Sequence, residues 1–189
     1  MLIKAKVGIS NRHVHLTQEV YDKLFSHDIT VKKYLSVKNE FASNETVTIK
    51  GPKGQIENVR VMGPHRGYNQ VEVSKRDARL LGLNPPVRKS GCLSDALEIT
   101  LLTSKAEVTL QNALIIANRH LHMSPAIALS YNLHEDDQVK VIVKGDKSCI
   151  LDAYVKIKND APLELHLDTD DGNSCLLSND DEVEIIIWE

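Results

Sequence analysis

Hydrophobic and polar residues alternate along most of this chain in runs short enough to be single strands. In the first part these runs are Leu2–Val7, Ile29–Lys32, Glu45–Lys50, Val59–Val61, Gln70–Val73 and Leu97–Leu101. They continue with Glu107–Leu110, Val139–Val143, Leu151–Ile157, Leu163–Leu167 and Val183–Trp188. A period of two places the apolar residues of each run on one face, as a half-buried strand requires. Turn formers such as Gly51-Pro52-Lys53-Gly54 and Gly145-Asp146 separate the runs, and many short strands at close spacing predict barrels or sandwiches.

Three helical patches interrupt the alternation, each opened by a residue whose hydroxyl can accept a hydrogen bond from an orphan backbone N–H. They are Thr17 before Gln18–Leu24, Ser74 before Lys75-Arg76-Asp77, and Ser124 before Pro125. Ser74 and Asp77 stand at capping-box spacing with Asp in place of Glu, Gly82 is a natural stop, and Pro125 suits the first helical position. These helices read as short covers on a β structure.

An internal repeat organises the chain. Ile9-Ser10-Asn11-Arg12-His13-Val14-His15-Leu16-Thr17 returns as Ile116-Ala117-Asn118-Arg119-His120-Leu121-His122-Met123-Ser124, 107 residues later. In both copies a strand-like run enters Asn-Arg-His-x-His and a capped helix follows, so two related halves are implied, each a small β-barrel.

Composition narrows the class of function. The chain has 189 residues, 42% hydrophobic and 26% charged, which is the composition of a folded globular protein. Its 23 Lys and Arg against 26 Asp and Glu leave a formal charge of -3, without the basic excess that binding a phosphate backbone requires. With aromatics at 4%, stacking platforms for single strands are also disfavoured, and no nucleic-acid partner is expected. No run approaches the ~18 apolar residues of a membrane span, and a strand pattern from Leu2 stands where a signal peptide would, so a cytoplasmic protein without a membrane partner is expected. The three cysteines, Cys92, Cys149 and Cys175, form no CxxC and read as buried small residues. Histidine stands out, at eight residues.

On a strand, His13 and His15 project the same way, as do His120 and His122. Each pair can chelate one cation through neutral imidazole, and a catalytic zinc site adds a third protein ligand while leaving a position open. His166, in Glu164-Leu165-His166, and Glu72, in Gln70-Val71-Glu72, are candidates for that third place, but spacing alone does not select them from the other carboxylates. A single HxH has an ordinary explanation as partly buried histidine. Two copies of Asn-Arg-His-x-His do not, because packing does not require both histidines twice. Arg66 alone reads as a surface ion pair, and His27, His65 and His134 fall outside the repeated pattern.

Taken in order, these segments carry a family resemblance over nearly the whole chain. Val7–Leu16, Gly63-Pro64-His65-Arg66 leading to Gln70–Ser74, Pro86-Val87-Arg88-Lys89-Ser90-Gly91 and Asn118–Ser124 resemble the PduL-type phosphate propanoyltransferases, or phosphotransacylases. The resemblance implies a mainly β protein of two related small antiparallel β-barrels capped by short helices, with a two-metal active site between them. It implies a domain of residues 11–118 and a second of residues 1–10 and 119–189, the first strand packing with the second barrel. One metal would be held by His13, His15 and Glu72, the other by His120, His122 and His166. Arg66 matches a phosphate-contacting arginine, and Ser90 a serine near the active site. The ions would be divalent, zinc first, with cobalt or another divalent ion as alternatives. Encapsulated members carry an extra amphipathic N-terminal segment; this chain starts almost at its first strand, so no encapsulation signal is expected. A homo-oligomer is implied by resemblance only.

The implied reaction converts a short-chain acyl-CoA, acetyl or propanoyl, and inorganic phosphate into acyl phosphate and free coenzyme A, and the reverse. Two cations can orient phosphate and polarise the thioester carbonyl, while the planar fork of Arg66 grips phosphate oxygens. Cys92, two residues after Ser90, keeps a covalent route open. A cupin-like metalloenzyme is an alternative because Glu19 follows the first His pair, although the repeat places Ala126 at the equivalent position. A non-enzymatic metal-binding module is a third reading, against which Arg66 and the ordered segments stand.

Overall fold

The computed structural model describes residues 1–187, in the order β1 (Leu2–Ser10), β2 (His13–His15), α1 (Gln18–Leu24), β3 (Val31–Tyr34), β4 (Phe41–Lys50), β5 (Gln55–Gly63), β6 (Gln70–Glu72), α2 (Lys75–Leu81), β7 (Val87–Arg88), β8 (Leu97–Leu102) and β9 (Glu107–Ala117). The second part runs β10 (His120–Met123), α3 (Pro125–Ser130), β11 (Gln138–Val143), β12 (Cys149–Ile157), β13 (Glu164–Asp168), α4 (Thr169–Cys175) and β14 (Glu182–Ile186). Trp188, expected at the end of the last strand, lies outside the described residues.

The chain divides into two compact units. One holds residues 11–35 and 39–117; the other holds residues 1–10, 36–38 and 118 onward. In the first unit β4, β5, β2, β6, β9 and β8 pair in that order and β8 closes on β4, while β3 adds to β4 and β7 to β9 outside the ring. In the second unit β1, β13, β10, β12, β11 and β14 form a closed six-stranded barrel. The protein is thus mainly β, with two barrels and a few short helices.

The barrels are mixed rather than antiparallel throughout. β2 runs parallel to β5 and β6 to β9 in one unit, as β10 does to β12 and β1 to β13 in the other. Alternation reports which face of a strand is buried, and that is the same in parallel and antiparallel pairs, so strand direction was not legible in it. Here β2 and β5 are joined by a long excursion through α1, β3 and β4 rather than by a hairpin, which leaves them free to run the same way.

Each barrel is filled from its own strands. Val14, Val59, Val61, Val71, Ile99, Leu101 and Leu114 form the centre of one core. Val7, Leu121, Val141, Val155, Leu165 and Ile185 form the centre of the other. Each of these buried side chains contributes about 1.5–3 kcal/mol of hydrophobic stabilisation. Because Val14 and Leu121 point into the cores, their neighbours in the HxH segments must project from the opposite face of the strand.

The three expected caps form. Thr17, Ser74 and Ser124 accept hydrogen bonds from the amides of Val20, Asp77 and Ile127, and Gly82 ends α2 in the left-handed region. The fourth helix, α4, has no helical signal in its sequence. Thr169-Asp-Asp-Gly-Asn-Ser-Cys175 has low helix propensity and a glycine inside it, yet Asp168 caps it by accepting from the Asp171 amide at 2.8 Å.

Candidate active site

The two Asn-Arg-His-x-His segments are built alike. His13 Nδ1 meets the carbonyl oxygen of Asn11 at 2.8 Å, and His120 Nδ1 meets that of Asn118 at 3.0 Å. A carbonyl only accepts, so in each ring Nδ1 carries the proton and Nε2 presents its lone pair. The arginine of each motif reaches an aspartate in the first turn of a short helix. Arg12 Nη1 donates to Asp77 Oδ1 at 2.9 Å, and Arg119 donates to both Asp171 oxygens at 2.9 and 2.7 Å. These two latches hold the histidine-bearing segments to α2 and α4, and the sequence reading gave Arg12 and Arg119 no role.

Strand pairing then supplies the third group of each cluster. β2 lies antiparallel to β6 with His13 opposite Glu72, and β10 lies antiparallel to β13 with His120 opposite His166. The ligand atoms of His13, His15 and Glu72 all lie within 4.8 Å of one another, as do those of His120, His122 and His166. His13 Nε2 stands 3.5 Å from Glu72 Oε2. In the other cluster the His122 and His166 rings stack at 4.3 Å between centroids and His120 lies 5.1 Å from His166.

His122 is 4% exposed and neither of its ring nitrogens has a hydrogen-bond partner. Burial, with His166 and His120 as neighbours, drives its pKa far below the usual imidazole range and keeps it neutral. A neutral, buried, unsatisfied imidazole costs stability unless something takes its lone pair, and three clustered imidazoles are a donor set suited to zinc. Two imidazoles and a carboxylate in the first cluster are equally so. The residues present therefore fit a divalent cation in each unit.

Arg66 and Ser90, the remaining expected site residues, join the first cluster through residues that sequence reasoning missed. Arg66 Nη1 donates to Tyr68 Oη at 3.0 Å and to Ser90 Oγ at 3.3 Å, and its Nη2 lies 3.4 Å from Glu40 Oε1. Gln70, 0% exposed, donates from Nε2 to both Ser90 Oγ at 2.8 Å and Glu72 Oε1 at 2.5 Å. Its Oε1 accepts the Gly91 amide at 2.7 Å, where a φ of 94° favours glycine. Arg66, Ser90, Gln70 and Glu72 thus form one hydrogen-bonded chain that ends beside His13.

Other candidates fall elsewhere. The Glu19 carboxylate pairs with Lys23 at 2.7 Å on the exposed face of α1, which removes the further ligand that a cupin-like reading needs. His27 pairs with Glu45, His134 with Asp137, and His65 packs on Tyr21, all outside the two clusters. Cys92 is exposed rather than buried, and Cys149 and Cys175 are free thiols with sulfurs 3.2 Å apart. An open cleft between Leu24–His27 and Leu102–Lys105 contains none of the clustered imidazoles or carboxylates. Among the described residues no helix is long and apolar enough to cross a membrane.

Comparison with known proteins defines the class first. A family model described as phosphate propanoyltransferase matches residues 6–178, which makes the chain an acyltransferase. Curated relatives carry the same description: one from Thermotoga maritima is 45% identical over 184 residues, covering 95% of this chain and 88% of the relative. One from Citrobacter freundii is 43% identical over 176 residues, covering 92% and 84%, and one from Salmonella typhimurium is 42% identical with the same coverage. The chain belongs to the phosphate propanoyltransferase family. The reading as a metal module without enzymatic activity is set aside by that membership.

Proposed function

We propose that this protein interconverts a short-chain acyl-CoA plus inorganic phosphate with acyl phosphate plus coenzyme A, using one divalent cation at each triad, zinc first. The observation that carries the reading is the unbroken chain from Arg66 through Ser90 and Gln70 to Glu72. It couples a group suited to phosphate oxygens to a group suited to a cation, which neither storage of a metal nor a surface ion pair requires. A cation bound at such a triad supplies positive charge that can polarise a carbonyl or hold a phosphate oxygen.

The chain's own residues do the rest. Arg66 is pinned by Tyr68, Ser90 and Glu40, so its fork is oriented before phosphate arrives and little ordering is needed on binding. Gln70 fixes the Glu72 carboxylate by donating to one oxygen, leaving the other directed toward His13. Ser90 is unsuited to be a nucleophile, because the two side chains that reach its Oγ, Arg66 and Gln70, both donate and neither takes a proton from it. Phosphate itself is then the attacking group: its oxygen forms a bond to the thioester carbon and the CoA sulfur leaves, with no acylated residue between.

The reading carries cytoplasmic residence, since CoA thioesters are made and consumed there, and association of copies, which light scattering of the purified chain tests. Acetyl and propanoyl groups differ by one methylene, worth only about 1–3 kcal/mol in a pocket, so both are expected as substrates. Release of CoA thiol from acetyl-CoA and propanoyl-CoA, followed with and without phosphate, is the direct test. Phosphate-dependent release supports the proposal. Release at the same rate without phosphate, or none with either thioester, overturns it.

A further inference from the structure

The clusters have a fourth corner. Across β2 and β6, His13 faces Glu72 and His15 faces Gln70; across β10 and β13, His120 faces His166 and His122 faces Glu164. Each pair of strands therefore displays four side chains on one face, two from the HxH segment and two from its antiparallel partner. In the first square the partner strand supplies a carboxamide and a carboxylate. In the second it supplies a carboxylate and an imidazole.

The exchange conserves charge while moving it. The His13, His15, Glu72 set carries one negative charge with Gln70 neutral beside it, whereas His120, His122 and His166 carry none when unprotonated, and the single charge of that square is on Glu164. A divalent ion held in a largely buried place by three neutral rings would keep its full charge, and buried charge must be compensated. Glu164 Oε2 lies 3.6 Å from His166 Nε2, close to the 3.5 Å that separates Glu72 from His13. That oxygen is buried and has no hydrogen-bond partner.

The neighbouring strand leaves room for this carboxylate. Gly8 pairs in register with His166, and a Cβ at Gly8 would stand 2.6 Å from Glu164 Oε1 and 3.5 Å from His166 Nε2. With glycine there, Glu164 is able to lie flat along β13 toward the imidazoles.

We propose that Glu164 is the anionic fourth member of the second cation site, supplying at the corner held by Gln70 in the first site the negative charge that the three histidines lack. The proposal rests on the cation-binding part of the function proposed above. It gives Glu164 a positioning and charge-balancing role toward the ion, distinct from that of the three imidazoles.

The test uses the full chain and cation affinity rather than turnover. In a His13→Ala/His15→Ala background, which leaves only the second site, zinc and cobalt are titrated against a competing chelator. Glu164→Gln keeps size and removes charge, and should weaken binding about 10–100-fold, as loss of a supporting group does. Glu164→Asp, which keeps the charge, should recover part of that loss. Thermal melting in chelator separates folding from binding: the expected result is a small change in melting for Glu164→Gln beside a large change in affinity. Unchanged affinity in Glu164→Gln, or equal losses in the Gln and Asp variants, overturns the proposal. So does a Glu164→Gln protein that melts earlier in chelator yet binds as before, which would mark a simple Glu164–His166 pair. If His120→Ala weakens cation binding and Glu164→Gln leaves it unchanged, only this inference falls; if the parent binds no ion, the cation reading falls with it.

Discussion

The two HxH segments are alike in backbone and unlike in surroundings. Each is a short strand flanked by one parallel and one antiparallel neighbour, each fixes its first histidine on an asparagine carbonyl, and each is latched by arginine to the third residue of a short helix. Around this shared frame, the first cluster is wired to Arg66 through Gln70 and Ser90, whereas the second is all imidazole with Glu164 beside it. The difference teaches that the repeat specifies where the paired histidines stand, while the antiparallel partner strand decides which groups face them. A duplicated scaffold thus presents two different side-chain sets by changing two residues on one strand.

The sharpest way to break the comparison is to remove one imidazole from each cluster. His13→Ala and His120→Ala should each lower bound metal by about one ion per chain and reduce turnover by more than about a hundredfold, beyond the effect of losing a supporting group. Elemental analysis beside steady-state kinetics checks this. If one variant keeps full activity, the two clusters are not both part of the reacting site.

Arg66 sharpens the contrast, because its network belongs to the first cluster. Arg66→Ala should cost about 2–4 kcal/mol of transition-state stabilisation. Arg66→Lys should chiefly raise the phosphate requirement, since a point charge replaces a two-pronged donor. Varying phosphate and acyl-CoA independently distinguishes these effects. Unchanged phosphate saturation in the alanine variant would reduce Arg66 to a surface pair.

The latches come next. Asp77 is nearly fully buried and Asp171 is not, so Arg12→Ala strands a buried acceptor and should cost about 1–3 kcal/mol of stability. Arg119→Ala, whose partner keeps access to water, should cost about 0–1 kcal/mol. Denaturant unfolding of the two variants measures the difference, and equal losses would show that burial of the aspartate is not what sets the cost. Smallest of all, Thr17→Ala and Ser124→Ala remove equivalent caps and should each cost about 1 kcal/mol, an equality that thermal melts can check.

What could be read from the sequence was what is local. The repeat, its three caps and the paired histidines sit within a few residues of one another, so their geometry follows from strand and helix periods alone. Glu72 and His166 were open candidates until the family resemblance picked them, because their places depend on which strand lies beside the HxH segment. The placement of Gln70, Glu40 and Glu164 beside the two clusters is hidden for the same reason: nothing near them in the chain distinguishes them from any other polar residue. Strand ends were hidden by local exceptions. β9 continues past Leu110 through Asn112, whose φ of 49° lies in the left-handed region, and a polar Gln-Asn pair reads as an end rather than an irregularity. β3 begins at Val31, two residues later than its alternation suggested, and is exposed along its length, so no buried face pins its register.

The first strand also bears on how the chain is made. Among the described residues β1 pairs only with β13 and β14, and beyond it the Met1 amino group donates to the Ile187 carbonyl oxygen while the Ile187 amide donates to that of Met1. On a ribosome, which adds residues in order from the N-terminal side, residues 1–10 emerge with nothing to pair with until residues 164–186 follow them. The barrel of residues 11–35 and 39–117 can meanwhile close from strands already present. An apolar, unpaired strand of this kind is a site for wrong pairing during that wait, and such long-range closure is intrinsically slow. The alternating lysines Lys4 and Lys6 on its outer face, ion-paired to Glu182 once β14 arrives, give the waiting strand a charge that discourages neighbours until its own partner is complete.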